Sequence, residues 1–181
     1  DKVEKGKNYA LIISTNSGLW RYKIGDTVKF TSTNPYRIKI SGRTKHFINA
    51  FGEELIVENA EKAMEITCKA SGATISNFTA APVYFDANHK LGTHEWVIEF
   101  IKFPEDNNDF VQRLDQELRN VNSDYEAKRY KDMVLKPPIV HFASDGLFEK
   151  WLKSKGRLGG QNKVPRLSNN REYIEEIMQF L

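Results

Sequence analysis

The chain has 181 residues, which is enough for one domain with a buried core or for one domain and part of a second. A hydrophobic content of 40%, a charged content of 28% and a net charge of +3 are ordinary for a globular protein and too mild to indicate nucleic acid binding. No apolar run reaches the ~18 residues of a membrane span, and the single Cys68 excludes an internal disulfide, so we expect a cytoplasmic protein without a membrane partner.

The first part of the chain predicts a β-rich segment with short connections. Strands are predicted over residues 9–14, 19–22, 27–31 and 36–41, and a tight bend at Gly25 and Asp26 separates the second from the third. Strands this few cannot cover both faces of their own sheet. We therefore predict that residues 1–42 are the end of a larger domain. The start without Met also suits a piece of a longer protein, although processing would give the same start.

Residues 43–181 predict a second unit in which strands and helices alternate. Helices are predicted over 53–69 with a stop at Gly72, from a cap at Asp109, over 146–153 with a cap at Asp145, and from Ser168 to the end. Strands are predicted over 74–85, 93–103 and 139–143. Met64 and Cys68 fall at core positions of the first helix. This order favours an α+β fold, with a mixed or antiparallel sheet and helices packed on one face.

One carboxylate and one guanidinium stand where they could bind a nucleotide. Asp26 follows a glycine on the bend, and Arg43 comes about one strand later. A carboxylate accepts hydrogen bonds from two hydroxyls, and a guanidinium binds phosphate oxygens in a fork, so the two could hold a ribose and its phosphate. Equally, Gly25 and Asp26 could form an ordinary hairpin turn and Arg43 could be a solvated charge.

A basic loop near the end of the chain is a second candidate site. Its cations fall within residues 150–166, which contain no acid: Lys150, Lys153, Lys155, Arg157, Lys163 and Arg166. A pliable loop that carries a lysine to a phosphoryl group would stabilise the negative charge that develops there as a leaving group departs. A solvated basic loop or a weak phosphate patch would look the same. The scattered histidines and the lone cysteine predict no metal site.

Three ordered motifs resemble the Gretchen Hagen family of auxin-responsive acyl acid amido synthetases, which belongs to the adenylate-forming enzymes. They are Leu-Trp-Arg-Tyr-Lys-Ile-Gly-Asp-Thr-Val-Lys-Phe at 19–30, Gly-Arg-Thr-Lys at 42–45 with Gly-Glu-Glu-Leu at 52–55, and Gly-Gly-Gln-Asn-Lys-Val-Pro-Arg at 159–166. The first is similar to the family's nucleotide-binding motif, the second to the hinge between its two domains, and the third to its C-terminal lysine loop. The resemblance covers nearly the whole chain.

The resemblance implies an activity for the parent enzyme. It would activate a small carboxylic acid with ATP and Mg²⁺ to an acyl-adenylate and then transfer the acyl group to the amine of an amino acid. Tyr22, Asp26 and Arg43 would bind the nucleotide, with Asp26 on the ribose hydroxyls and Arg43 on the ribose or phosphate. Lys163 would be the catalytic lysine that stabilises the α-phosphate.

The resemblance also implies a mobile C-terminal domain. Residues 43–181 would swivel between the two half-reactions about a hinge at Thr44 and Lys45, where the residues alone would equally allow a plain corner between strands. ATP and Mg²⁺ would be bound mainly by the N-terminal domain of the parent, because the family's phosphate loop and acid pocket match nothing in this chain. We therefore expect this chain to be inactive alone.

The chain departs from the family at Glu53. Plant members tend to carry a lysine close to this position, whereas Gly52-Glu53-Glu54 is closer to the acyl-CoA ligase pattern. We expect Glu53 and Glu54 to be favourable charges at the start of a helix. Two alternatives remain: an acyl-CoA-type ligase with a thiol acceptor, and a non-catalytic module that binds anions or nucleic acid. The basic loop lacks the interleaved aromatics of a stacking surface, which counts against nucleic acid.

Overall fold

A computed structural model gives the fold and describes residues 2–43, 46–85, 91–132, 134–156 and 163–181. The first part of the chain forms an antiparallel sheet in the order β1 (Asn8–Ile13), β2 (Tyr22–Thr33) and β3 (Tyr36–Arg43). The β-rich character predicted for this part is therefore present. The division into domains at residues 42 and 43 stays a prediction.

The bend predicted at Gly25 and Asp26 is a bulge inside one long strand, β2. The strand predicted over residues 27–31 lies within β2, whereas residues 19–21 of the strand predicted over 19–22 are not in a strand. Ala10 lies opposite Thr27 and Ile12 lies opposite Lys23, which leaves three residues of β2 facing Leu11 alone. Gly25 has a φ of 90°, a conformation that suits glycine and accommodates the extra residues. The strand continues through the bulge because β1 and β3 pair along its two edges.

The rest of the chain has the predicted α+β architecture, which confirms the fold class. A two-stranded sheet of β4 (Phe47–Ile48) and β5 (Leu55–Ile56) leads into α1 (Val57–Ser71). The main sheet has the order β6 (Thr74–Val83), β7 (Thr93–Lys102) and β8 (Ile139–Ser144), with β7 antiparallel to β6 and parallel to β8. The remaining helices are α2 (Asn107–Val121), α3 (Ser123–Arg129), α4 (Leu147–Ser154) and α5 (Glu172–Met178).

Two hydrophobic clusters cover the two faces of the main sheet. Trp96, Ile98 and Phe100 of β7 join the larger cluster, to which α1, α2 and α3 contribute Met64, Leu114, Leu118 and Tyr125. Val97, which points the other way, joins a smaller cluster with residues of α4 and α5, including Trp151 and Ile177. The structure thus adds a second layer of helices to the single layer that the sequence predicts.

The predicted helix over residues 53–69 begins at Val57, after β5. Glu53 is therefore not at a helix start, and its carboxylate accepts hydrogen bonds from the backbone N–H groups of Ala50 and Phe51. The predicted stop is confirmed, because Gly72 has a φ of 65° and donates its N–H to the carbonyl of Cys68. Met64 is buried as predicted, and burial raises the pKa of the half-buried Cys68 thiol to about 11.

Two of the predicted helix caps are replaced by other acids. The N-cap of α2 is Asp106 rather than Asp109, and its side chain accepts from the N–H groups of Asn108 and Asp109, because the helix begins before its first apolar residue. Asp145 does not cap α4, since Glu99 of β7 accepts from the N–H of Phe148 at 2.8 Å. Glu99 is distant from Phe148 in the chain, so no local spacing of residues could have predicted this cap.

The last helix begins at Glu172 rather than at Ser168. The reason is that Ser168 belongs to an extended segment, in which its N–H donates to the carbonyl of Ala80 in β6. Among the described residues, no helix combines the length and the apolar character that crossing a bilayer requires.

Candidate functional site

The first sheet brings two of the predicted nucleotide-binding residues together. Asp26 lies directly opposite Arg43 in the pairing of β2 with β3, and their neighbours Thr27 and Gly42 form the next pair. Opposed residues of an antiparallel pair have Cα atoms about 5 Å apart, so a carboxylate and a guanidinium start from adjacent points. The bulge at Gly25 sits immediately before Asp26 and changes the direction of the strand there.

The other predicted residues of this region are less well placed. Tyr22 is the first residue of β2, pairs with Ile13 and is half-exposed, four positions before Asp26. Thr44, Lys45 and the side chain of Arg43 lie outside the described part of the chain. Their predicted roles therefore stay predictions.

A small cavity lies beside the Asp26 and Arg43 pair. Its volume is 260 Å³, and one wall contains Thr27 and Gly42 of the first sheet. The opposite wall comes from residues 46–56, which include β4 and β5, and which we name the β4–β5 segment. His46, Asn49 and Glu54 of this segment line the cavity. Side-chain amides, hydroxyls and an imidazole can all form hydrogen bonds to a polar ligand.

A buried hydrogen-bonded pair that the sequence does not predict fixes the β4–β5 segment. The carboxylate of Glu53 lies 2.8 Å from Nε2 of His94 on β7, and both side chains are 0% exposed. Burial favours the neutral acid, but the hydrogen bond and charge of His94, with backbone N–H donors, outweigh it and lower the pKa of Glu53. Glu53 therefore points into the core as a carboxylate and does not face the cavity.

A second cavity of 590 Å³ lies on the other side of β4. One wall contains His46 and Phe47, which also line the first cavity. The other wall contains Ser168, Asn169 and Tyr173, near the end of the chain. One hydrogen bond ties these two walls together, because the N–H of Asn49 donates to the side-chain oxygen of Asn169 at 2.8 Å. The β4–β5 segment therefore separates two adjoining cavities.

Lys163, the predicted catalytic lysine, is exposed and immediately precedes a segment that is held firmly on β6. Arg166 accepts from the N–H of Ala80 at 2.9 Å through its carbonyl, and the hydroxyl of Thr79 donates to the carbonyl of Pro165 at 2.6 Å. Val164, between Lys163 and Pro165, is buried. These contacts hold the chain directly after Lys163, and they leave its ammonium free to extend into solvent.

Several other cations of the basic loop are neutralised by acids from elsewhere. Lys153 pairs with Glu149 at 2.7 Å, and Lys155 pairs with Glu176 at 2.7 Å. Arg166 lies 3.4 Å from Glu61 and stacks over the ring of Phe78. Arg157 and the glycines at 159 and 160 lie outside the described residues. Within the described part of the stretch, Lys153, Lys155 and Arg166 are therefore balanced by acids once the chain is folded.

Comparison with known families decides the relationship. Residues 58–172 match the sequence profile described as the GH3 family C-terminal domain, and residues 1–43 match the GH3 family central domain. The chain belongs to the GH3 family. The family that the three motifs indicate is therefore confirmed.

Individual GH3 proteins are similar along nearly the whole chain. An indole-3-acetic acid-amido synthetase of Arabidopsis thaliana is 24% identical over 91% of this chain, and a 4-substituted benzoates-glutamate ligase of the same plant is 23% identical over 92%. The chain spans only 29% and 32% of the length of these two relatives. By its name, the first forms an amide of indole-3-acetic acid, and the second ligates 4-substituted benzoates to glutamate.

Solved structures of the family share the fold. The structure of the GH3.15 acyl acid amido synthetase superposes with a TM-score of 0.75 at 22% identity, and it covers 98% of this chain and 33% of the other. A complex of the same synthetase with 2,4-DB gives a TM-score of 0.73 at 20% identity. The fold described above is therefore shared with a GH3 structure over nearly the whole chain.

Sequence patterns missed the contacts that assemble the two cavities. Glu53 and His94 are far apart in the chain, as are Asn49 and Asn169, and neither pair lies within a recognisable motif. The departure from the family at Glu53 was a signal that this residue does something other than bind phosphate. No signal of that kind marked Asn169. Within the described residues, no group of three or more His, Cys, Asp or Glu side chains could hold a metal ion.

Proposed function

We propose that the chain is the C-terminal part of an ATP-dependent acyl acid amido synthetase. In the first half-reaction, an oxygen of a small carboxylate attacks the α-phosphorus of ATP and pyrophosphate leaves. In the second, the amine of an amino acid attacks the carbonyl carbon of the acyl-adenylate, loses a proton, and AMP leaves. The relatives that carry out such ligations and the shared fold support this assignment.

The observation that carries the proposal is the register of Asp26 against Arg43 beside a cavity. An acceptor for ribose hydroxyls and a donor for phosphate oxygens start from opposed positions of one strand pair. The cavity next to them is closed by the β4–β5 segment, whose side chains can complete the polar contacts. Tyr22 would add to the nucleotide site from the start of the same strand.

Lys163 would act on the α-phosphate during adenylation. A fixed cation lowers the barrier because negative charge grows on the phosphoryl group as pyrophosphate departs. The firm anchorage of residues 164–168 on β6 gives the lysine a rigid base. Movement about Thr44 and Lys45 would then exchange Lys163 for the acceptor site. Mg²⁺ would neutralise the phosphates of ATP, held mainly by the rest of the parent.

The rest of the parent would also cover an exposed apolar surface. Large hydrophobic side chains of the first sheet and the turn before β2 are exposed to solvent: Ile12, Leu19, Trp20, Tyr22, Ile24, Tyr36, Ile38 and Ile40. Apolar surface this concentrated marks an interface. We propose that it packs on the N-terminal domain of the parent, which would also supply the phosphate loop and the acid pocket. The chain alone would then be inactive.

The test is carboxylate-dependent exchange of labelled pyrophosphate into ATP by the full-length parent. We expect exchange with particular acids, a loss of about 100-fold or more in Lys163→Ala, and a smaller change in the control Lys155→Ala. Asp26→Ala should raise the apparent KM for ATP. No exchange with any acid in a broad panel would overturn adenylation.

The acceptor is tested separately by the release of AMP. Dependence on amino acids supports the amido synthetase, whereas dependence on coenzyme A or pantetheine would replace it with an acyl-CoA-type ligase. The non-catalytic alternative needs an unbalanced basic surface, and the pairing of Lys153 and Lys155 with acids counts against it. Salt-sensitive binding of RNA that is lost in a Lys153→Gln, Lys155→Gln variant would revive it.

A further inference from the structure

Two ion pairs that share one carboxylate connect the first sheet with α1. The two carboxylate oxygens of Glu58, in the first turn of α1, lie 3.0 Å from Nζ of Lys29 and 3.1 Å from Nζ of Lys39. One carboxylate thus binds two lysines, which come from different strands of the same sheet.

Lys29 and Lys39 together form a positively charged site on the sheet that attracts an anion. Lys29 on β2 lies directly opposite Lys39 on β3. Like charges that face each other across a strand pair repel and destabilise it. A carboxylate placed between them removes that repulsion and gains two charge-assisted hydrogen bonds. The sheet therefore favours any position of α1 that keeps Glu58 there.

The helix favours the same position. Glu58 lies at the N-terminus of α1, where the helix dipole stabilises negative charge. The hydrogen bond from Lys29 and the charges of both lysines lower the pKa of Glu58, so that it is ionised at neutral pH. The side chain of Lys29 is 26% exposed, against 40% for Glu58 and 55% for Lys39, so solvent screens the ion pair with Lys29 less than the ion pair with Lys39.

The three residues belong to different domains of the family. Lys29 and Lys39 lie within residues 1–43, which match the central domain, and Glu58 is the first residue of the match to the C-terminal domain. The same two parts of the chain carry Asp26 and Lys163. Whatever fixes the orientation of one part relative to the other also fixes the distance between those two candidate site residues.

We propose that Glu58 is a positioning residue that holds the C-terminal domain against the central-domain sheet through Lys29 and Lys39. Its catalytic consequence rests on the proposed function, since Lys163 can act only on a nucleotide that Asp26 holds. The orientation itself does not depend on that function. Loss of the Glu58 charge releases the arrangement seen here without touching either candidate site residue.

The orientation is measured by the distance between two spin labels on the 181-residue chain. Labels are attached at Thr33→Cys on β2 and Gln112→Cys on α2, both exposed, in a Cys68→Ala background. We expect one dominant distance at low salt. In Glu58→Gln the ratio of that population to all others should fall about two- to tenfold. Raising NaCl to about 0.5 M should lower it similarly in the parent sequence.

Three control variants separate the ion pair from other effects. Glu65→Gln makes the same charge change at an exposed position on α1 and should leave the distances unchanged. The reversal Glu58→Lys with Lys29→Glu and Lys39→Glu should restore the dominant distance. Glu58→Asp should restore it in part. The urea midpoint of each variant checks that the main sheet and its helices remain folded.

The outcomes for Glu58 and for the proposed function are distinct. Distances that are the same in Glu58→Gln and the parent sequence at every salt concentration would overturn the inference, whatever the enzyme does. Altered distances in Glu58→Gln, restored by the charge reversal, would support it even if no acid promotes pyrophosphate exchange. If exchange is observed, Glu58→Gln should change its rate by a factor similar to the population change.

Discussion

The carboxylate of Glu53 and the imidazole of His94 form a hydrogen-bonded pair, 2.8 Å apart, in the interior of the protein. The pair connects the β4–β5 segment with the central strand of the main sheet. It also determines which way the segment turns, because Glu53 binds the N–H groups of Ala50 and Phe51 at the same time. Because Glu53 binds several buried donors, its role is to hold the β4–β5 segment in place, and this segment contributes a wall to each cavity.

Neutralising Glu53 should destabilise the protein. Glu53→Gln weakens the charge-assisted bond to His94 and misplaces an N–H₂ group among donors, so we expect the free energy of unfolding to fall by about 1–3 kcal/mol. Urea denaturation followed by tryptophan fluorescence measures it. The control Glu54→Gln alters an exposed side chain and should change the free energy by no more than about 0.5 kcal/mol. Equal effects of the two variants would contradict the structural role.

The contribution of Glu53 should disappear in acid. Its pKa in the folded protein is lowered from the ordinary value of 4.5, so its stabilising effect is complete above that value and is lost as the pH falls through the folded pKa. The difference in unfolding free energy between the parent sequence and Glu53→Gln should therefore shrink below pH 4.5. Urea denaturation at a series of pH values gives the difference. A difference that stays constant down to acid unfolding would be inconsistent with an ionised Glu53.

Breaking the buried pair between α2 and α3 should be more damaging. Arg129 binds Asp115 through two nitrogens, at 2.8 Å and 2.7 Å, and the hydroxyl of Tyr125 donates to the same carboxylate. Arg129→Met leaves Asp115 buried without its cation, which should cost about 3–5 kcal/mol of unfolding free energy. Arg119→Met removes a more exposed pair with Glu126, which solvent screens, and should lower the unfolding free energy much less. Similar costs measured by urea denaturation would show that burial of the Asp115 pair does not matter.

The N-terminus of α4 should depend on a strand residue and not on the acid next to it in the sequence. Glu99→Gln weakens the bond to the N–H of Phe148, and we expect a loss of about 1 kcal/mol with faster hydrogen exchange in the first turn of α4. Asp145→Asn should leave that exchange unchanged. The reverse result, with Asp145 as the sensitive position, would support the local cap that the sequence suggests.

The bond between Asn169 and Asn49 should protect one specific amide. In Asn169→Ala the N–H of Asn49 loses its acceptor, so its hydrogen exchange should accelerate about three- to tenfold. Asn170→Ala, one residue further, removes only a contact with Ser168 and serves as the control. Exchange followed by NMR resolves the single amide. An unchanged rate at Asn49 would mean that the two cavity walls are not coupled through this bond.

The class of fold could be predicted because each strand and helix is encoded by residues that are close together in the sequence. The strands and helices of the main sheet follow from periodic apolar residues, and Gly72 ends α1 where a glycine stop is expected. Asp26 and Arg43 were predicted as candidate site residues about one strand apart, but their direct opposition in the pairing of β2 with β3 was not predicted. The sequence could not show whether the bend at Gly25 and Asp26 is a turn or a bulge, because both favour glycine followed by a polar residue.

The rest could not be predicted because its causes are distant in the chain. Glu99 reaches α4 from β7, and His94 reaches Glu53 across the core. The second layer of helices was missed because Val97 alternates with Trp96 and Ile98 in a strand that is apolar on both faces. Such a strand shows that both faces are covered, but the residues that cover them are identified only by the tertiary structure.

The mixed pairing of β7 also sets an order in which the main sheet can assemble. Its antiparallel partner β6 is the preceding strand, whereas its parallel partner β8 follows only after α2 and α3 have crossed over. Closing the longer connection costs more chain entropy, so we expect the β6–β7 hairpin to form early and β8 to join late in folding. The residues after β8, including Lys163, would therefore be the last to reach their final positions, on a scaffold that is already complete.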